Sequence, residues 1–85
     1  MKYQNFTDLP GVGNAVARDY KNLGFTHPNE IKNEDPQELY ERLCILQNIQ
    51  VDRCMLYTFR CAHYAVNHPK VESKTLLWWN FKDDK

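Results

Sequence analysis

Asp8-Leu9-Pro10-Gly11-Val12-Gly13-Asn14 lies near the start of this 85-residue chain and runs directly into Ala15-Val16-Ala17. Glycines at positions 11 and 13 permit positive φ and place no Cβ over the backbone, so the chain can turn sharply and leave N–H groups open. Val12 is the apolar pin that seats such a turn between the helices on either side. The helix that follows begins at the turn, and its first N–H groups and dipole add a second attraction for an anion. The pattern has the form of a helix-hairpin-helix turn. A turn of this kind holds phosphates and sugars, and so positions a protein on nucleic acid without reading bases. The candidate DNA-phosphate-binding residues are Gly11, Val12, Gly13, Asn14 and Ala15, with Arg18 and Lys21 as cationic partners. Opposing features are Ala15, where this motif often carries Lys, and the negative charges of Asp8 and Asp19. A Gly-x-Gly turn also serves as a close-packing joint, which keeps a protein-interaction reading open.

Working outward, Val16, Tyr20 and Leu23 recur at i, i+4 and i+7 with Arg18, Lys21 and Asn22 off that stripe, which predicts an amphipathic helix over about 14–23. Gly24 supplies its left-handed stop. Pro28 fits the first position of a short helix capped by His27 or Thr26, with Ile31 turned to the core. Asp35-Pro36-Gln37-Glu38 reads as a capping box, and Leu39, Leu43 and Leu46 carry the helix behind it to about residue 46 or 47. After a polar turn at Gln47-Asn48, Asp52 caps the longest helix, about 53–67. Cys54, Thr58, Cys61 and Ala65 share one of its faces, Met55, Phe59, Ala62 and Val66 the next, and Arg53, Arg60 and Asn67 form a line expected to meet water. His68-Pro69 ends it. The tail Leu76-Leu77-Trp78-Trp79-Asn80-Phe81 is too apolar to hang free and is expected to fold back on the core, with Lys82 to Lys85 frayed. No window alternates with period two for long, so the class is all-α.

Eighty-five residues close one hydrophobic core, so residues 1–85 read as a single domain. Eleven basic residues balance eleven acidic ones, which excludes the strong positive field of a general nucleic-acid or anionic-membrane binder and makes any such contact local. Neither a signal-peptide run nor a membrane span of about 18 apolar residues is present, which points to a cytoplasmic monomer with no membrane partner. Cys44, Cys54 and Cys61 are an odd set without a Cys-x-x-Cys pair, against both disulfides and a zinc ribbon.

Several segments together resemble one family. Asp8-Leu9-Pro10-Gly11-Val12-Gly13, Asp35-Pro36-Gln37-Glu38-Leu39-Tyr40-Glu41-Arg42-Leu43, Asp52-Arg53-Cys54, Leu56-Tyr57, Phe59-Arg60-Cys61-Ala62 and Trp78-Trp79-Asn80 are similar to the bacterial pathogenicity-locus family of short helix-hairpin-helix proteins, often labelled mitomycin resistance proteins. The resemblance spans nearly the whole chain and implies a DNA-related role. It also implies that helices 36–46 and 53–67 form a second, degenerate hairpin without glycine, giving a compact five-helix bundle of the tandem helix-hairpin-helix, SAM-like type.

Cys54, Cys61 and His63 do not match a zinc spacing, and the thiols read as small apolar side chains, so no metal and no cofactor is expected. A cysteine paired with His63, His68 or His27 lacks a nucleophile motif and a third orienting group, so no catalytic residue is assigned. Trp78 and Trp79 can offer a stacking surface for bases, although at least one is expected in the core. The functional expectation is a non-enzymatic module binding DNA weakly through phosphate, at about 10⁻⁴ to 10⁻⁶ M. The alternative is a module that binds a protein partner through Trp78-Trp79. A basic collar around the turn favours the first, and acidic crowding beside an exposed tryptophan the second.

Overall fold

The computed structural model describes residues 3–82. Among them there are three α-helices, α1 (Asn14–Asn22), α2 (Pro36–Gln47) and α3 (Arg53–Asn67), four short 3-10 turns and no strand. The all-α expectation holds at this level. The five-helix count does not carry over directly, because the segment before the Leu9–Gly13 turn is one 3-10 turn, Phe6–Asp8, and Pro28–Ile31 is another. The fraying expected of Lys82 to Lys85 falls largely on 83–85, outside the described residues.

Local signals set the ends. Gly24 takes φ +102 behind α1. Asp35 accepts the Gln37 amide at 3.0 Å with Pro36 in the first turn of α2, as expected, but Glu38 does not return the bond among the described residues. Reciprocal caps form elsewhere instead. His27 Nδ1 accepts the Asn29 amide while Glu30 accepts the amides of Thr26 and His27, and Asp8 accepts those of Gln4 and Asn5. Asn48, at φ 55, takes the left-handed position that ends α2. The glycine-free link to α3 is then held by the Tyr40 hydroxyl, which donates to the Val51 carbonyl and accepts from Gln50. Asp52 accepts the Cys54 amide at 2.8 Å and starts α3.

The core forms where these elements meet. Tyr20 of α1 stacks on Phe6 and tilts against Phe59 of α3, each at 4.8 Å between centroids. Leu39, Leu43, Leu56, Ala62 and Ala65 complete the contact of α2 with α3. Arg42 on α2 donates to the Leu23 carbonyl at 3.1 Å and stands over the Phe25 ring, closing the C-terminal end of α1.

The line expected to face water on α3 is only partly exposed. Arg53 is exposed, but Arg60 donates to the Phe81 carbonyl at 2.9 Å, and the Asn67 amide donates to the carbonyls of Lys32 and His63. Polar side chains on this face serve as clasps for distant backbone carbonyls, which helical spacing cannot reveal. The expected burial of thiols also needs correcting: Cys61 is fully buried, Cys44 half-buried and Cys54 exposed in the first turn of α3. The tail does fold back. Its 3-10 turn Trp78–Phe81 packs on α3, with Phe81 against the Tyr64 ring.

Candidate nucleic-acid interface

Leu9, Pro10 and Val12 are buried, whereas Gly11 and Gly13 lie at the surface. The apolar residues seat the turn in the core and leave its glycines outward. Gly11 takes φ +78, and a Cβ there would stand 3.5 Å from Trp78 Cβ, 3.7 Å from Trp78 Cδ1 and 3.8 Å from Thr58 Cγ2. The first glycine is therefore where the closing tail lies against the turn. Gly13 differs. Its φ of −93° and ψ of −170° are extended backbone open to any residue, and nothing lies within 4 Å of where its Cβ would be.

Gly13 is the N-cap of α1, and its carbonyl accepts the Ala17 amide at 3.0 Å. The amides of Asn14, Ala15 and Val16 belong to the first turn and have no intrahelical acceptor. A serine or aspartate cap would satisfy one or two of them, but Gly13 has no side chain to do so. Asn14 and Ala15 are exposed and Val16 is half-buried, so the positive end of the helix dipole opens onto solvent past the first two of these residues.

The expected site residues are placed unevenly around this opening. Gly13, Asn14 and Ala15 line it, and Arg18 is exposed one turn along from Asn14. Its side chain emerges from a helix whose Cα–Cβ bonds tilt toward the N-terminus, hence toward the amides. Val12 contributes anchoring only, because its amide donates to the Leu9 carbonyl at 3.2 Å. Lys21 lies about 10 Å along the axis from Asn14. It lines a separate depression of about 200 Å³ with Asn5, Phe6, Thr7, Ala17 and Thr26. The amide of Val16 is the donor that sequence reasoning left out. The signal for it is its place as third residue of a helix capped by glycine.

The two acids near the turn are both engaged. Asp8 is turned back onto the amides of Gln4 and Asn5. Asp19 accepts from Gln47 at 3.2 Å, and partial burial raises its carboxyl pKa against the opposing effects of that bond and of Arg18. Their charges still lie near the turn, so there is no basic collar.

Over residues 1–85 the sequence matches the family model described as Cdd1, pathogenicity locus. The chain belongs to this family. It is also similar to the mitomycin resistance protein McrB of Streptomyces lavendulae, at 36% identity over 82 residues that cover 95% of this chain and 73% of that protein. No solved structure is significantly similar. The expected family membership is thus shown.

In this pathogenicity-locus protein Cys54 and Cys61 are poorly suited to nucleophilic chemistry. Burial pushes the Cys61 thiol up to about 11. Cys54 is raised chiefly by its hydrogen bond to the Asp52 carboxylate, the opposite of the lowered pKa that activates a thiol.

Proposed function

We propose that this chain is a non-enzymatic module that binds the DNA backbone without sequence preference, and that Leu9–Gly13 acts as a helix-hairpin-helix turn whose first helix is reduced to the 3-10 turn Phe6–Asp8. The observation that carries this reading is the uncapped first turn of α1, whose Asn14, Ala15 and Val16 amides open past a glycine onto unobstructed space. A phosphate oxygen there accepts from the amides, as a capping carboxylate would, and Arg18 adds charge from one turn along. Lys21 is far enough away to meet a neighbouring phosphate. The raised thiols support a binding role over a nucleophilic one. The family model and the McrB name are compatible with this reading and do not by themselves specify a ligand.

A second reading, contact with a protein, is favoured by the acids near the turn and the lack of a basic collar beside the half-exposed Trp79, and by Ile45, Leu46 and Ile49, which are 80%, 54% and 60% exposed around the end of α2. They lie outside the turn, so the two readings make separate demands on sequence.

The test exploits Gly13. Gly13→Asp places a carboxylate in open space at the N-cap, where it occupies the amides that a phosphate needs. Stability is expected to hold or rise by a few tenths of a kcal/mol, while DNA affinity is lost. An amide-resolved NMR titration with a short duplex at low and then physiological salt should show wild-type shifts at Gly13 to Val16 and at Arg18 that fade with salt. Absence of shifts at low salt, or a Gly13→Asp variant that binds as tightly as wild type, would sink the proposal.

A further inference from the structure

Trp79 is 48% exposed although its neighbour Trp78 lies against the turn. The two rings meet edge to face, 5.6 Å between centroids and 85° apart, so each keeps at least one ring face that the other does not cover. The pair is held in place. Arg60 donates to the Phe81 carbonyl, the Phe81 ring packs on Tyr64, and the Asn80 amide donates to the Leu77 carbonyl at 2.9 Å. An indole kept half in water on a fixed segment is a pre-organised stacking surface whose stacking partner among the described residues is Trp78.

Its position gives that surface a use. Trp78 Cβ lies 3.5 Å from where a Gly11 Cβ would be, and Gly11 is two residues, at most about 7 Å, from Gly13. Trp78, with the Trp79 ring edge-on to it, thus lies close in space to the start of α1. From the indole pair and its contact with Gly11 we infer that the two form a composite site for a nucleotide whose base is unpaired, so that the preferred ligand is single-stranded DNA. This inference rests on the reading of the turn as a phosphate site. A duplex keeps its base faces stacked inside and offers Trp79 nothing to cover, whereas a single strand can lay a base on the indole while its phosphate reaches the turn. Stacking accepts any base, which agrees with a site that holds no base-reading side chain at the turn.

Trp78 and Trp79 are the chain's only two tryptophans, so indole emission reports on this site alone. The full chain is titrated with a short oligothymidylate and with a short duplex at the same low salt. The single strand is expected to quench emission and bind about fivefold or more tighter than the duplex. Trp79→Ala should weaken the single strand by about fivefold or more and leave the duplex within about twofold, while Trp79→Phe retains most of the affinity. Trp79 is half exposed, and thermal melting confirms that the variants fold. Equal binding of the two ligands, or a Trp79→Ala effect that is nil or the same on both, overturns the inference and leaves the phosphate reading standing. Binding of neither ligand overturns both. Gly13→Asp is expected to abolish both kinds of binding. If it spares the single strand, the aromatic pair works without the turn and the composite site is wrong.

Discussion

Tyr20 is the residue at which packing and polarity conflict. It lies fully buried between Phe6 and Phe59, and its hydroxyl has no hydrogen-bond partner among the described residues. Burial also raises its phenol pKa, so the group stays neutral. An unmet buried hydroxyl costs about 1–3 kcal/mol, and phenylalanine keeps both ring contacts. Tyr20→Phe is therefore expected to raise unfolding stability by about 1 kcal/mol in urea titrations; a loss of similar size would mean that the hydroxyl has a partner, such as a buried water. The sequence placed Tyr20 on the inward stripe of its helix but held nothing about where the hydroxyl ends. The candidate site was legible to the same depth. Two glycines, the helix start and Arg18 could be read locally, because turn geometry and first-turn amides depend on adjacent residues. The bond from the Val12 amide to Leu9 and the place of Lys21 on the rim of a separate depression with Asn5 and Thr7 could not. Trp78 lying against Gly11 joins residues far apart in the chain, and no local pattern encodes that contact.

At the level of elements, each helix boundary that was legible has a short-range cause: Gly24 behind α1, Asp35-Pro36 before α2, Asp52 before α3 and Pro69 after it. The expected spans differ from those found by a residue or so for this reason. What escaped was that the segment before the turn is a 3-10 turn, Phe6–Asp8, and that Arg60 and Asn67 clasp distant backbone carbonyls, which only tertiary partners settle. The caps also make stability depend on pH. The Cys54 amide holds the Asp52 carboxyl below its usual range, and the Thr26 and His27 amides do the same for Glu30. A carboxyl with a lowered folded pKa contributes stability that is complete above its unfolded pKa and disappears as pH falls through the folded one. Asp19, raised by burial, acts in the opposite direction, favouring the fold below its unfolded pKa and losing that contribution as pH rises. Asp52→Asn keeps a competent cap without a titrating group. Its melting temperature should match wild type near pH 7 and fall less between about pH 5 and pH 3. Identical acid profiles would show that the ionised Asp52 carboxylate adds nothing to the fold beyond what a neutral cap supplies.

For the whole molecule, zero net charge limits how the proposed binding can work. Its longest dimension is 36 Å, and a duplex lying along it presents about 20 phosphate charges. A protein that adhered through its general field would engage many of them and lose affinity steeply with salt. The turn offers three uncapped amides, Arg18 and, further along α1, Lys21, which is a point contact with about two phosphates. Each neutralised phosphate contributes about −0.9 to the slope of log K against log salt on duplex DNA, so the expected slope is about −1.8. Arg18→Ala should bring it to about −0.9 and weaken all sequences alike, because Arg18 is placed to meet a phosphate and not a base edge. Gly13→Asp should remove binding at every salt concentration, since it blocks the amides themselves. A wild-type slope near −4 or steeper would require more cations than this face supplies. In that case the binding surface would have to lie elsewhere on the chain, and the open N-terminus of α1 would be a joint for the Trp78 tail with no ligand of its own.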